Sequence, residues 1–218
     1  MAQIVQRPAM YFAMLALAAA CGLAGIVSMP LLSARLLAGP QVIAVNKADL
    51  QAALEDSPWF ALEDPGLPLD ADMPKVWLLS ELHCPTCQQV EAKAKALETK
   101  VAVLITSPRG VDRGTQRALA EISRRRSAQV LQDWRARPDR PLPVLAGVQD
   151  VDLGPAALAG YAEWSHASFD RLAEVAAANG SVLKAPALFW RRGREWRMAA
   201  NPGEEAFRAV RQDIKAGG

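Results

Sequence analysis

The sequence predicts a mixed α/β domain that carries a helical insertion and follows an apolar amino-terminal segment. Two apolar runs, 76–82 and 101–107, have the length and composition of buried strands, and a segment with helical periodicity separates them. A longer helical stretch comes next, and the chain closes with a pair of strands and one helix. With 218 residues, 51% of them hydrophobic, the chain is long enough to bury a substantial core.

The amino terminus predicts a membrane anchor. No charged residue lies between Arg7 and Arg35, and residues 10–27 are almost wholly apolar. A helix of about 20 residues spans a bilayer, whereas the apolar region of a cleavable signal peptide has only about 7–15 residues. We therefore expect residues 8–34 to form a single-pass anchor in the inner membrane, with the remaining domain in the periplasm.

Two other interpretations of residues 1–35 stay open. The segment can act as a signal that is cleaved, which would release the domain into the periplasm. Cys21 follows three alanines in a loose lipoprotein box, so acylation at this cysteine is the third interpretation. All three place residues 36–218 outside the cytoplasm.

Residues 36–75 are expected to be a linker with one short helix. The stretch 46–56 contains helix-forming residues behind a possible amino-terminal cap. The stretch 57–75 carries four prolines and is typical of a connector. The compact domain is therefore predicted to begin near Val76.

The domain itself is predicted to begin with a strand–helix–strand unit. Val90, Ala94 and Leu97 recur at helical spacing, which predicts an amphipathic helix over 85–99 between the two strands. A strand, a helix and a second strand at this spacing indicate parallel pairing.

Helical periodicity dominates the middle of the chain. It predicts helices over 113–136 and 155–178, within an insertion of about 108–178. The segments 185–190 and 194–199 then predict a hairpin, and 202–215 predicts a closing helix.

The chain contains one close pair of cysteines, Cys84 and Cys87. The pair lies between the first strand and its helix, so Cys84 is expected at the helix amino terminus, where unpaired amides and the dipole favour a thiolate. Pro85 suits the first turn of a helix, which does not need the N–H that proline lacks. We expect the Cys84 thiolate to attack a substrate disulfide and Cys87 to resolve the mixed disulfide.

A zinc site is the alternative for these cysteines. It would need two more ligands, yet no second CxxC exists, and the histidines are His83, adjacent to Cys84, and His166. The redox interpretation is therefore favoured, and neither a metal nor an organic cofactor is expected. The net charge of +2 gives no reason to expect a nucleic-acid partner.

Three stretches resemble the thioredoxin fold, and more closely the periplasmic thiol:disulfide interchange proteins of the DsbC/DsbG family. "SELHCPTC" (80–87) resembles the family's acid-x-x-Cys-Pro-x-Cys. "AANGSVLKAPALFW" (177–190) resembles the segment that carries the family's cis proline, and "AANPGEEAFRAVRQDI" (199–214) resembles its closing turn and helix.

The resemblance implies a cis peptide bond between Ala185 and Pro186, packed near Cys84, where it positions an extended substrate strand. The family usually has Thr or Val where this chain has Ala185. The resemblance also implies an amino-terminal dimerisation domain, for which 36–75 is too short, so an oxidoreductase is expected ahead of an isomerase.

The residues around the pair are expected to tune its chemistry. Pro85 and Thr86 lie between the cysteines, and such residues help to set a disulfide potential. Glu81 is either a proton relay to Cys87 or an exposed acid at a strand end, and His83 either stabilises the Cys84 thiolate or points to solvent.

The expected function is that of a membrane-tethered periplasmic thiol-disulfide oxidoreductase of reductase or isomerase type. Its partners would be exported proteins that carry disulfides, together with a membrane redox partner that resets the pair. The alternative is a zinc-binding or non-catalytic assembly module that retains the thioredoxin fold.

Overall fold

The computed structural model describes residues 42–45, 47–62, 74–138 and 154–216. The expected anchor at 1–35 lies outside these residues, and so does part of the expected insertion. Within the described ranges, no helix is both long enough and apolar enough to cross a membrane.

The described residues form a mixed α/β structure of six strands and six helices. In chain order the elements are β1 (Val42–Val45), α1 (Lys47–Glu55), β2 (Phe60–Ala61), β3 (Val76–Glu81), α2 (Pro85–Lys95), β4 (Val101–Thr106), α3 (Arg113–Arg125), α4 (Ala128–Ala136), α5 (Pro155–Ala178), β5 (Ala187–Arg192), β6 (Glu195–Ala200) and α6 (Glu204–Ala216).

The strands make one six-stranded sheet in the order β1-β6-β5-β3-β4-β2. β3 and β4 pair in parallel across the connecting helix α2, as the strand–helix–strand pattern predicted. All other neighbouring pairs are antiparallel, including the predicted hairpin of β5 and β6. The carboxyl ends of β3 and β4 therefore lie at the same edge of the sheet.

Side chains alternate across the sheet and build a core on each face. Along β3, Val76 and Leu78 join a cluster with α2, α3, α4 and α6, whereas Trp77 and Leu79 join a cluster with α1 and α5. This alternation is the period of two that a strand imposes on its side chains. The sheet is thus covered by helices on both faces, which explains why its central strands are apolar almost throughout.

The domain begins upstream of the Val76 boundary that the sequence predicted. Val42–Val45 pairs with β6 from Val42 opposite Ala199 to Val45 opposite Trp196, so it is an edge strand of the sheet. The predicted short helix of the linker is present as α1, and its Leu50 is fully buried against the sheet. A four-residue strand leaves too short a pattern to be distinguished from a linker by periodicity.

The helical stretch predicted over 113–136 is two helices. Arg126 adopts a left-handed backbone conformation (φ 48°, ψ 46°), and its N–H closes the end of α3 on the carbonyl oxygen of Ile122. A left-handed residue ends a helix, because it turns the chain away from the helix axis. The direction changes here, and α4 begins at Ala128.

Candidate active site

The two cysteines lie where β3 gives way to α2. Cys84 is the amino-terminal cap of α2, with an extended backbone (φ −96°, ψ 105°), and Pro85 is the first residue of the helix. Cys84 and Cys87 are joined in a disulfide. The predicted position of the pair at a helix amino terminus is confirmed.

The two sulfurs of this disulfide are not equivalent. Cys87 is fully buried beneath the first turn of α2, whereas Cys84 is partly exposed. The backbone N–H of Cys87 donates a hydrogen bond to Cys84 Sγ at 3.0 Å. After reduction, this hydrogen bond and the positive end of the helix dipole would both stabilise a thiolate at Cys84. An approaching molecule therefore meets Cys84 first.

Pro85 and Thr86 form the exposed rim of the pair. Both side chains are exposed, and they lie in the first turn of α2 between the two cysteines. They are placed to touch any molecule that reaches Cys84. Their expected effect on the redox potential stays a prediction.

The peptide bond between Ala185 and Pro186 is cis, as the resemblance implied. The next residue, Ala187, pairs with Leu79 of β3. Ala185 lies two residues before this pair, and it lines the same open cleft as Glu81, at the end of β3 from which the cysteine segment leaves. Pro186 is buried and Ala185 is partly buried, so Ala185 is the more accessible residue of the two.

Glu81 supports the cysteine turn through its main chain. Its carbonyl oxygen accepts hydrogen bonds from the Cys84 N–H at 3.4 Å and from Arg135 Nη2 at 3.3 Å. Its side chain lines an open cleft that also reaches Ala185. A proton-relay role for the carboxyl group stays a prediction.

This cleft has a volume of about 480 Å³ and lies between the end of β4, α5 and the segment before Pro186. The hydroxyl groups of Thr106 and Ser107 are buried at its floor and find no hydrogen-bond partner among the described residues. His166 lies on the α5 side. Burial lowers the pKa of this histidine, and the nearby Arg109 guanidinium lowers it further.

His83 is held by the helical insertion. Its Nε2 lies 3.0 Å from Thr115 Oγ1 in the first turn of α3. Its ring also meets the Trp134 ring edge-on, with 4.9 Å between the ring centroids. The sequence left open whether His83 points to solvent, and the structure shows an exposed ring that is nevertheless fixed on two sides.

A buried ion pair beneath α2 was not predicted from the sequence. Glu91 lies one turn after Cys87 and is only 6% exposed. Arg135 of α4 binds its carboxylate with both terminal nitrogens, Nη1 to Oε2 at 2.5 Å and Nη2 to Oε1 at 2.9 Å. The Ser80 hydroxyl of β3 donates to the same carboxylate. The pair thus connects the cysteine helix, its preceding strand and the insertion.

One sequence signal could have indicated this cluster. Glu91 follows Cys87 by four residues, so the two share a helix face, and Val90 and Ala94 place that face toward the core. An acid on an apolar face needs a partner. Which residue supplies the partner depends on the path of the insertion, because Arg135 comes 44 residues later.

The described part of the chain contains no group of three or more His, Cys, Asp or Glu side chains placed to hold a metal ion. No protein-family model matches this chain, and no curated protein shows significant similarity to it.

Proposed function

We propose that this chain is a membrane-tethered, periplasmic thiol-disulfide oxidoreductase of reductase or isomerase type that acts on disulfides of exported proteins. The observation that carries the proposal is the asymmetry of the cysteine pair. Cys84 is accessible and caps a helix, whereas Cys87 is buried one turn later and donates its N–H to the Cys84 sulfur. A structural disulfide needs neither feature.

The order of the elements supports a thioredoxin-like domain. A strand leads into the CxxC helix, a parallel strand follows, helices are inserted, and an antiparallel hairpin and a closing helix complete the chain. The cis peptide bond between Ala185 and Pro186 precedes β5, the antiparallel neighbour of the strand that leads into the cysteine segment, and this supports the family resemblance of the sequence. We propose that a substrate strand pairs with the main chain just before Pro186.

The chemistry needs only the two cysteines and a substrate disulfide. In the reduced protein the Cys84 thiolate attacks one sulfur of the substrate disulfide, and the other substrate sulfur leaves as a thiolate and takes up a proton. Cys87 loses its proton and attacks Cys84 Sγ, which releases the second substrate sulfur. The substrate has then gained two electrons and two protons, and the protein carries the Cys84–Cys87 disulfide.

A second reaction must reset the pair. A dithiol partner in the membrane would reduce Cys84–Cys87 again if the protein works as a reductase. In an isomerase, another thiol of the substrate would instead resolve the mixed disulfide. Cys87 would then attack Cys84 Sγ only when no substrate thiol does so. No metal or organic cofactor enters either cycle.

The proposed compartment rests on the apolar run of residues 8–34. An anchor there would keep the domain in an oxidising space, where disulfides of exported proteins form. Fractionation of cells tests this part: the full chain should stay in the membrane pellet after a carbonate wash. Release into the soluble periplasmic fraction would instead indicate cleavage.

Reduction of insulin by dithiothreitol tests the activity, with the full-length protein in mild detergent as the catalyst. Wild type should accelerate precipitation of the insulin B chain, and Cys84→Ser should abolish this effect. Cys87→Ser, reduced and then freed of dithiothreitol, should form a mixed disulfide with insulin that accumulates until dithiothreitol is added back. Cys21→Ser is the matched control, since this cysteine lies outside the domain, and it should behave as wild type.

A non-catalytic module that retains the fold gives a different result. Wild type would then be no faster than Cys84→Ser, and Cys87→Ser would trap no insulin. A zinc module would bind metal stoichiometrically after purification under reducing conditions, and Cys84→Ser would release the metal.

A further inference from the structure

A chain of hydrogen bonds connects the residue before the nucleophile to the first turn of α3. His83 Nε2 lies 3.0 Å from Thr115 Oγ1, and Thr115 Oγ1 lies 2.6 Å from Asp112 Oδ2. Asp112 also caps α3, because its Oδ1 accepts the backbone N–H of Thr115 at 3.0 Å. Thr115 is 4% exposed, so its hydroxyl group is shielded from water.

The direction of each bond in this chain follows from a count of protons. The hydrogen bonds from Thr115 lower the pKa of Asp112, so its carboxylate is ionised at neutral pH and can only accept. The single hydroxyl proton of Thr115 is therefore donated to Asp112. Thr115 Oγ1 must then accept from His83, and His83 Nε2 carries a hydrogen in both its neutral and its cationic forms.

The hydrogen bond at Nε2 leaves Nδ1 as the acceptor nitrogen of the His83 ring. With Nε2–H donated to Thr115 Oγ1, the lone pair of the neutral imidazole is at Nδ1. The edge of Trp134 packs against the ring from α4, at an interplanar angle of 68°. Two insertion helices thus hold one imidazole, and they hold it at the position immediately before Cys84.

Each element that holds this ring carries a charged residue among the described part of the chain. Asp112 acts on it from α3 through Thr115, and Glu81 stands two residues earlier at the end of β3. From α4, Arg135 follows Trp134, but its guanidinium is bound by Glu91 and by the carbonyl oxygen of Glu81. Asp112 is therefore the charged group connected to the ring by hydrogen bonds.

We propose that Thr115 and Asp112 are positioning residues for the chemistry of Cys84. They hold the His83 ring in its Nε2–H form, which leaves Nδ1 to accept the thiol proton when the reduced pair forms its thiolate. The S–H bond of Cys84 breaks, an N–H bond forms at Nδ1, and the sulfur keeps the electron pair. The proton is returned when a departing thiolate is protonated. This inference rests on the proposed function, because it assigns a proton acceptor to the same site.

The test is the pH dependence of Cys84 alkylation in the reduced full-length protein. Iodoacetamide modifies the thiolate, and mass spectrometry of the Cys84 peptide separates this reaction from any at Cys21. Thr115→Val removes the hydroxyl group but keeps the backbone N–H that bonds to Asp112. We expect Cys84 alkylation at about pH 6.5 to slow by about three- to tenfold, the size typical of coupled polar groups.

Three further variants assign the effect to the hydrogen-bond chain. Thr115→Ser should restore the rate that Thr115→Val loses, since the hydroxyl group returns. His83→Gln should reduce the rate of Cys84 alkylation at least as much as Thr115→Val does. The double variant should reduce this rate no more than His83→Gln alone. Gln116→Ala, at an exposed position in the same turn of α3, is the surface control and should match wild type.

Several outcomes would overturn the inference. Thr115→Val could react as wild type, Thr115→Ser could be as slow as Thr115→Val, or the losses of Thr115→Val and His83→Gln could add in full. If Thr115→Val does not fold, nitrogen NMR of His83 in wild type decides. A neutral ring in the Nε2–H form supports the inference, and an Nδ1–H form contradicts it. Failure of the proposed function is distinguished by the insulin assay: wild type would then not accelerate insulin reduction, whatever the pH dependence of Cys84 alkylation.

Discussion

Arg135 and Glu91 join the helical insertion to the helix that carries the cysteines, through two N–H···O contacts of 2.5 and 2.9 Å. Both side chains are almost fully buried. A bidentate guanidinium–carboxylate pair has a defined geometry as well as a charge interaction. This ion pair therefore holds the insertion directly against the active-site helix.

Removing one partner of this pair should destabilise the domain. Glu91→Gln leaves the Arg135 guanidinium buried without its counter-ion, and breaking a buried pair in this way costs about 3–5 kcal/mol. Urea unfolding at one fixed redox state measures the difference in free energy of unfolding. Lys93→Ala is the matched control on the same helix, since Lys93 pairs with Glu204 at an exposed site and should change stability little. Equal, small losses in both variants would contradict this role of the pair.

The stability of the domain should fall on mild acidification because of His166. Burial lowers the pKa of His166 in the folded protein below its value of about 6.5 in an unfolded chain. Below about pH 6.5 the unfolded state therefore binds more protons at this site than the folded state does, and the contribution of neutral His166 to stability is progressively lost. Above this pH the contribution is fully present.

Comparison of wild type with His166→Gln tests this prediction. Between about pH 7.5 and pH 5.5, the range that brackets the ordinary histidine pKa, the free energy of unfolding of wild type should fall more steeply than that of the variant. Parallel curves would show that His166 is not the group responsible.

The two thiols of the reduced protein should differ in reactivity. Cys84 is partly exposed and stabilised as a thiolate, whereas Cys87 is fully buried, so alkylation of Cys84 should be about tenfold faster or more. Brief treatment with iodoacetamide at neutral pH, followed by peptide mass spectrometry, measures the ratio. The assignment of Cys84 as nucleophile would be wrong if Cys87 reacted first.

Much of this fold follows from local pattern. β3, α2 and β4 are predictable because their apolar runs and helical spacing are unambiguous, and α5 is found over the predicted residues 155–178. β1 is not predictable from local pattern, because a strand of four residues is stabilised mainly by its pairing with β6. That strand lies more than 150 residues later in the chain. The end of α3 at Arg126 is not predictable either, because the left-handed position is occupied by arginine and not by the glycine that usually marks a helix end.

The site divides in the same way. The cysteine pair and its helix are formed by consecutive residues, so their relative position can be predicted from the sequence. The partners of Glu91 and His83 come from the insertion, at Arg135 and Thr115, and only the packing of helices brings them to the cysteine turn. Local pattern thus predicts the reactive groups, and tertiary structure supplies the groups that orient them.

The redox potential of the Cys84–Cys87 pair tests the central claim most directly. The full-length protein is equilibrated with glutathione or dithiothreitol buffers, and the fraction of reduced pair is measured by thiol trapping. A catalytic pair with its outer sulfur stabilised as a thiolate should have a potential between about −270 and −120 mV. A potential below about −300 mV, the range of structural disulfides, would contradict the account.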